Sequence, residues 1–207
     1  IFENRKILKN INLIIEKNSK IGIIGETGSG KSTLLNLIMG LIEPSIGHIE
    51  VDEKILKHSS IDWRNKISFV SQSTYLFDDT ILNNITFSHD DNSIDKKKLN
   101  EAIEIACLDD FIDKLDYKLK TIVGERGSKI SGGELQRICI ARAMYNESEI
   151  LVLDECTSAL DEKTEKKIIE NLFKLNKTII IASHKASTLK YCDKIFKVSN
   201  FSLEKIK

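Results

Sequence analysis

A single glycine-rich segment organises this chain: Gly25-Glu26-Thr27-Gly28-Ser29-Gly30-Lys31-Ser32-Thr33. It follows an apolar run at residues 21–24 and precedes a helix-favouring run at residues 34–39. The pattern G-x-x-x-x-G-K-[ST] is typical of a turn between a strand and a helix, in which glycines let successive backbone N–H groups reach phosphate oxygens. We therefore expect the whole segment to bind a nucleotide, with Lys31 on the β- and γ-phosphates and the Ser32 hydroxyl on Mg²⁺.

Apolar patterns on both sides of this segment predict an α/β fold. Strands are expected at residues 7–15, 21–24, 48–51, 67–70, 150–153, 178–182 and 194–198, and a helix at residues 162–175. The continuous apolar run at residues 150–153 is typical of a strand that is buried on both faces of a parallel sheet. The alternation of strands and helices predicts a mainly parallel sheet whose ligands bind at the carboxyl ends of the strands.

A mostly helical insertion is expected between the two halves of this sheet. Apolar residues recur at helical spacing in the stretch from about residue 80 to residue 144, which also contains a polar linker at residues 90–95. The glycine-bearing residues 123–133 should interrupt the helices. A length of 207 residues allows one domain with such a subdomain.

Composition narrows the class of protein. Lys plus Arg and Asp plus Glu both number 31, so the chain has no excess of basic residues that would indicate a nucleic-acid partner. The four cysteines show no C-x-x-C spacing, which favours reduced thiols in a cytosolic setting. No apolar run approaches the ~18 residues that a membrane helix needs. We expect a soluble domain.

Polar side chains follow three of the predicted strands. Asp154 and Glu155 end the apolar strand, where the carboxylate of Asp154 would hold the Mg²⁺ shell and that of Glu155 would activate the attacking water. Gln72 could bind the metal or orient the water, and His184 could donate a hydrogen bond to the γ-phosphate. The alternatives are a helix cap for the two acids and a surface position for Gln72 or His184.

A second anion site is predicted at Ser131-Gly132-Gly133-Glu134, which precedes a long helical run. Two glycines before a helix leave backbone N–H groups free to meet an anion, and the serine hydroxyl lies beside them. One domain has no evident use for two sites on the same γ-phosphate. The second site would therefore act on the nucleotide of a partner.

Taken together, these motifs resemble the ABC ATPase family. Residues 25–33 resemble its Walker A motif, residues 150–155 its Walker B motif with the catalytic Glu155, and residues 131–134 its signature motif. Ser158-Ala159-Leu160-Asp161 is similar to the D-loop, Gln72 to the Q-loop glutamine and His184 to the switch histidine. The resemblance spans nearly the whole chain, with every motif in family order.

The resemblance implies a P-loop NTPase core with a mainly parallel sheet, an N-terminal antiparallel β subdomain and an inserted α-helical subdomain. Residues 1–79 and 146–207 would form the core, and residues 80–145 the helical subdomain. It also implies ATP and Mg²⁺ as cofactors, with Asp161 at the nucleotide, Ser32, Gln72 and Asp154 at the metal, and Lys31 among the catalytic groups. Phe2 is the candidate to stack on adenine, with a plain strand residue as the alternative.

Further segments are similar to exporter-type ABC proteins: residues 121–127 before the signature, residues 76–81 and 84–85 after Gln72, and residues 183–188 around His184. Exporters imply two partners for this chain, namely a second copy that binds head to tail with ATP and an N-terminal transmembrane domain absent from it. The domain would then lie at the cytoplasmic face of the membrane. Ile130, Glu134 and Cys156 depart from the family's commoner Leu, Gln and Ala without removing a catalytic group.

Two other functions remain open from the residues alone. A soluble ABC ATPase that acts on DNA or ribosomes predicts a basic patch, long coiled coils or a second cassette, none of which is visible. A dimerisation module with little hydrolysis predicts a replaced Glu155 or His184, and both residues are present. Residues 176–179 lack the aspartate of an N-K-x-D motif for guanine, so GTP has no support. The motifs carry no information on the exporter's cargo, although the overall sequence resembles flippases of lipids or lipid-linked oligosaccharides.

Overall fold

The computed structural model describes residues 7–57 and 60–207, which form two compact units. The first unit holds the described residues of Ile1–Ser68 together with Ser148–Asp154 and Asn176–Lys207. The second unit consists of Phe69–Glu147 and Glu155–Leu175. The division at residues 79/80 and 145/146 that the resemblance implies stays a prediction.

A mainly parallel sheet forms the body of the first unit. Its strands are β1 (Lys20–Ile24), β4 (Ile67–Val70), β5 (Ile150–Asp154), β6 (Thr178–Ala182), β7 (Lys194–Ser199) and β8 (Ser202–Lys205), in the order β4-β5-β6-β1-β7-β8. Strand β6 pairs in parallel with both β1 and β5, so that Ile180 lies between Ile21 and Val152. The predicted strands at residues 67–70, 150–153, 178–182 and 194–198 are confirmed.

The sheet forms because its central strands are apolar on both faces. Ile21, Ile23, Val152, Ile180 and Ala182 are all buried in one cluster with the apolar face of helix α1 (Lys31–Ile38). Removing such side chains from water stabilises the fold by about 1.5–3 kcal/mol for each large one. Two shorter helices, α2 (Ile61–Asn65) and α8 (Ala186–Leu189), also belong to this unit.

The predicted strand at residues 7–15 is wrong as a strand, although its burial pattern is correct. These residues lie in no strand, and Asn10 has a φ of 51°. Leu8, Ile11 and Leu13 still pack against the core cluster. The alternation of apolar and polar residues therefore reported burial on one face, whereas a strand also needs a ladder of hydrogen bonds.

Two hairpins complete the first unit. Strands β2 (Glu50–Val51) and β3 (Lys54–Ile55) form an antiparallel pair, which belongs to the predicted antiparallel β subdomain. Strand β8 returns antiparallel to β7 through Asn200 and Phe201, both with positive φ. Sequence patterns did not predict β8, because its few alternating residues lie at the end of the chain beyond a turn without glycine or proline.

Helices dominate the second unit, as the sequence predicts for the insertion. They are α3 (Ile81–Thr86), α4 (Lys96–Ile105), α5 (Asp109–Asp113), α6 (Gly132–Tyr145) and α7 (Glu162–Phe173), with 3₁₀ turns at Asp91–Ser93, Lys118–Lys120 and Glu125–Gly127. Helix α6 packs against α3 and α4. Within the described ranges, no helix is both long enough and apolar enough to cross a bilayer.

Candidate functional site

The glycine-rich segment, here called the phosphate loop (residues 25–33), joins β1 to α1 as predicted. A Cβ atom at Gly25 would lie 2.5 Å from the carbonyl oxygen of Val198, so only glycine fits this close backbone approach. Lys31 is the first residue of α1 and is buried. Its Nζ donates to the carbonyl oxygens of Gly25 at 2.7 Å and Glu26 at 3.1 Å, which folds the ammonium group back over the loop.

Two further predicted site residues meet this loop from neighbouring strands. Ser32 Oγ donates to Asp154 Oδ2 at 2.9 Å, and Lys31 Nζ lies 3.3 Å from His184 Nε2. Asp154 ends β5, and His184 follows β6. Because β1, β5 and β6 run in parallel, their carboxyl ends lie at the same edge of the sheet. The first unit thus brings together Lys31, Ser32, Asp154 and His184.

The loop has the features of an anion site. Ser29 Oγ is buried and, among the described residues, has no hydrogen-bond partner. A buried hydroxyl of this kind costs free energy until a ligand binds it. Beside it, a Cβ at Gly28 would meet no atom within 4 Å, so the loop is open at this point. Phosphate oxygens would supply both the missing partner and the contents of the open space.

Oxygen groups suited to a hard cation lie at the edge of this loop. The Ser32 hydroxyl and the Asp154 carboxylate are ligands of the kind that Mg²⁺ prefers, and Mg²⁺ commonly keeps several waters. In the described part of the chain, no cluster of three or more His, Cys, Asp and Glu side chains is arranged to hold a metal.

Gln72 and Glu155 meet each other in the second unit. Gln72 Nε2 donates to Glu155 Oε2 at 3.0 Å. Gln72 follows β4, while Glu155 follows β5 and has a φ of 47°, a left-handed backbone that few glutamates adopt. Backbone strain of this kind is concentrated at functional sites. The pair is consistent with an acid whose orientation is set by a neighbouring amide.

The predicted second anion site lies at the N-terminus of α6. Ser131 is the N-cap residue, and a capping box joins it to Glu134: the Ser131 N–H donates to Glu134 Oε2 at 2.7 Å, and the Glu134 N–H donates to Ser131 Oγ at 3.3 Å. Ser131 and Gly132 are exposed. The Glu134 carboxylate is thus occupied by the cap, while the Ser131 hydroxyl keeps its proton available to an anion.

The two remaining predicted ligands differ in what the structure says of them. Asp161 is the N-cap of α7 and accepts from the Thr164 N–H at 3.0 Å. Hydrogen bonds from the side chain and then the backbone of Thr164 hold the pKa of Asp161 below its usual value. Phe2, the candidate adenine platform, lies outside the described residues.

An aromatic surface beyond Gln72 joins Phe77, which lies in one of the exporter-like segments, to side chains that no motif singled out. Phe77, Asp79, Asn83, Asn84, Phe87 and His89 line a cavity of about 230 Å³. Phe77 stacks edge-on against Tyr75 and Phe87, and all three rings are half or more exposed. The Arg142 guanidinium lies 4.7 Å from the centre of the Phe87 ring. Phe87 and Arg142 gave no sequence signal, because neither belongs to a motif.

The parallel sheet, the phosphate loop at its carboxyl edge and the inserted helices define a P-loop nucleotide-binding fold. Comparisons with known proteins then identify the family. The family model described as ABC transporter matches residues 8–158. The chain belongs to the ABC transporter family, which confirms the resemblance of its motifs.

Similar proteins of this family carry the names of a flippase, a multidrug resistance-like ATP-binding protein and an ABC exporter. The chain is 40% identical over 196 residues to an ATP-dependent lipid A-core flippase of Salmonella typhimurium, which covers 93% of this chain and 34% of that protein. It is 44% identical over 207 residues to the multidrug resistance-like ATP-binding protein MdlA of Buchnera aphidicola, with coverages of 98% and 35%. A bacterial Atm1-family ABC exporter with ATP bound superposes with a TM-score of 0.89 at 33% identity, over 97% of this chain and 35% of that one. The chain thus spans about a third of these relatives.

Proposed function

We propose that this chain is an ATP-binding and ATP-hydrolysing domain that powers export or flipping of a substrate across a membrane. The observation that carries the proposal is the cluster of Lys31, Ser32, Asp154 and His184 at the carboxyl edge of the sheet, next to an unsatisfied Ser29 hydroxyl. Such a cluster suits a triphosphate and its metal. Relatives named as flippases and exporters support the transport role.

In this proposal the phosphate loop binds the β- and γ-phosphates through its backbone N–H groups, and Lys31 exchanges its carbonyl partners for phosphate oxygens. A phosphate oxygen is the stronger partner, because it carries charge. His184 donates a hydrogen bond to the γ-phosphate from its place beside Lys31. Ser32, and Asp154 through water, would hold Mg²⁺, which would neutralise charge on the phosphates. Gln72 stays a predicted third ligand.

Glu155 is the proposed general base. Its carboxylate would take the proton of a water that attacks the γ-phosphate in line with the leaving group. The hydrogen bond from Gln72 Nε2 would hold one carboxylate oxygen in place and leave the other for the water. The left-handed backbone at Glu155 points to the same role, since strain is tolerated where orientation matters.

A second copy of the chain is the proposed partner at the nucleotide. Residues 131–134 lie at a helix N-terminus whose serine hydroxyl and backbone N–H groups suit a phosphate. The phosphate loop already supplies such groups to the nucleotide of its own chain, so residues 131–134 would serve the nucleotide of another copy. We therefore propose a head-to-tail homodimer in which each phosphate loop faces residues 131–134 of the other copy. ATP would close the pair, and hydrolysis would reopen it.

A transmembrane domain of the same transporter is the second proposed partner, with the domain at the cytoplasmic face of the membrane. The aromatic surface formed by Tyr75, Phe77 and Phe87 beside the 230 Å³ cavity suits an inserted apolar side chain from a cytoplasmic loop. A soluble ABC ATPase acting on nucleic acid remains the less supported alternative, since the named relatives are exporters and the net charge is zero.

The Glu155→Gln variant tests the proposed reaction. It should bind ATP as the wild type does and hydrolyse it about 10²–10⁴-fold more slowly, because the amide cannot accept the proton of water. Binding is measured by calorimetry and turnover by phosphate release. Glu162→Gln is the matched control, since it removes an exposed carboxylate from the first turn of α7. Turnover near the wild-type rate in Glu155→Gln would remove Glu155 from the base role.

A further inference from the structure

The buried amide of Gln136 joins helix α6 to the segment at residues 158–161. Gln136 is only 4% exposed. Its Nε2 donates to Ser158 Oγ at 3.1 Å, and its Oε1 accepts from the Ala159 backbone N–H at 2.9 Å. Both ends of the amide are therefore used. A buried amide without such partners would cost free energy, so these two bonds hold the side chain and the segment together.

The start of α6 also contacts the segment at residues 158–161 at a place that does not involve Gln136. A Cβ atom at Gly133 would lie 3.1 Å from the Ala159 carbonyl oxygen, and one at Gly132 would lie 3.6 Å from the Ala159 Cβ. The start of α6 therefore packs directly on the backbone of residue 159. Ser158 and Ala159 are themselves exposed.

The placement of these contacts has a geometric consequence. Residues 131–134 begin α6, and Asp161, which ends the segment, is the N-cap of α7. Gln136 lies one turn into α6, and its two hydrogen bonds tie the start of one helix to the residues that lead into the other. The two segments thus form one surface with a shared support, here called the paired surface (residues 131–134 and 158–161).

We infer that Gln136 is a positioning residue that makes the paired surface move as one body toward the partner copy. The inference rests on the proposed head-to-tail dimer and adds to it a residue that touches neither nucleotide. Without the Gln136 amide, residues 131–134 would still be capped by their own box, but residues 158–161 would lose two of their supports. Assembly of the two copies would then have to order that segment at an entropic cost.

The Gln136→Met variant tests this role, because methionine keeps the length and helix propensity of glutamine but makes neither hydrogen bond. We expect kcat for ATP hydrolysis to fall about tenfold while KM for ATP changes by less than about twofold, since a small misplacement of a site-completing segment affects the reacting state more than ground-state binding. Amide hydrogen exchange at residues 158–161 should accelerate about tenfold, because local opening becomes easier.

Two further variants separate positioning from plain loss of stability. Gln136→Glu keeps an acceptor for the Ala159 N–H and accepts from the Ser158 hydroxyl, so it should restore slow exchange at residues 158–161 and most of kcat. Ile140→Val removes a methyl group from a fully buried side chain of the same helix and should lower the melting temperature without changing kcat or this exchange.

Each result bears on a distinct claim. Wild-type exchange at residues 158–161 in Gln136→Met would overturn the tether, whatever the hydrolysis rate. Accelerated exchange with an unchanged kcat would overturn the role of the tether in catalysis. A fall in kcat that Ile140→Val reproduces at equal melting temperature would reduce Gln136 to a stabilising residue. A wild-type protein without ATP hydrolysis would instead contradict the proposed function, while the exchange experiment would still decide the tether.

Discussion

The ammonium group of Lys31 illustrates how single residues in this protein are arranged for a ligand. It is buried, and its contacts include the carbonyl oxygens of Gly25 and Glu26 and the imidazole of His184. A phosphate oxygen would form a stronger, charge-assisted bond than these carbonyl oxygens do. Lys31 is therefore held in place before a triphosphate arrives, which lowers the entropic cost of binding.

Lys31→Ala should weaken the binding of ATP about 10–100-fold, because it removes a charged hydrogen bond worth roughly 1.5–3 kcal/mol. Nucleotide titration by calorimetry or fluorescence measures the change. Lys17→Ala is the matched control, since Lys17 is an exposed lysine of the same unit. Equal affinities in Lys31→Ala and the wild type would contradict the assignment of the phosphate loop.

Helix α6 shows how one element serves several tasks. Its first turn carries Ser131 and the capping box, Gln136 follows, and Arg142 lies in its last turn. The Arg142 guanidinium donates to the Asn84 backbone oxygen at 2.7 Å, to Asn84 Oδ1 at 2.9 Å and to the Tyr75 oxygen at 2.9 Å. Burial lowers the pKa of Arg142, with a smaller opposing effect from Cys139. The helix thus links the predicted second anion site to the aromatic surface.

Arg142→Met should lower the free energy of unfolding by about 2–4 kcal/mol, because the nearly fully buried Asn84 and the Tyr75 carbonyl lose a charged donor. Urea unfolding followed by circular dichroism measures this change. Lys163→Met on the exposed face of α7 should cost less than about 0.5 kcal/mol and serves as the control. A loss no larger than that of the control would show that these hydrogen bonds contribute little.

At the scale of the whole molecule, the proposed function divides one reaction between two copies. The phosphate loop and the Ser131 helix start belong to different units of the chain, and each carries predicted phosphate-binding groups of its own. If each nucleotide needs both groups, a single chain supplies only half of each complete site. The rate of hydrolysis then depends on how often two chains meet.

The ATPase rate per chain should therefore rise with protein concentration, about in proportion below the dimer dissociation constant. Phosphate release measured over a wide dilution series checks this, with gel filtration to report the oligomeric state. For comparison with the ATPase rate, the ATP affinity per chain is measured in the Glu155→Gln variant, in which hydrolysis is prevented. A constant rate per chain in a monomeric sample would contradict the shared site.

Elements with strong periodic or continuous apolar patterns were predictable, and elements defined by long-range pairing were not. The buried strand β5 and helix α6 follow directly from runs of apolar residues. Residues 7–15 have the alternation of a strand but pack on the core without its ladder, and β8 forms only because β7 offers an edge. Tertiary pairing decided both cases, since a hydrogen-bonded ladder needs a partner strand.

The phosphate loop and its chemistry follow from local sequence alone, because a glycine-rich turn before a helix folds through contacts between near neighbours. The positions of Asp154 and His184 at strand ends were also predictable from the local sequence. Their contacts with the phosphate loop were not predictable in this way, because Ser32 and Asp154 are 122 residues apart in sequence and Lys31 and His184 are 153 apart. The same holds for Gln136 and Ser158, which meet only when α6 packs beside the segment before α7. Side chains so far apart in sequence come into contact through sheet order and helix packing, which no short pattern encodes.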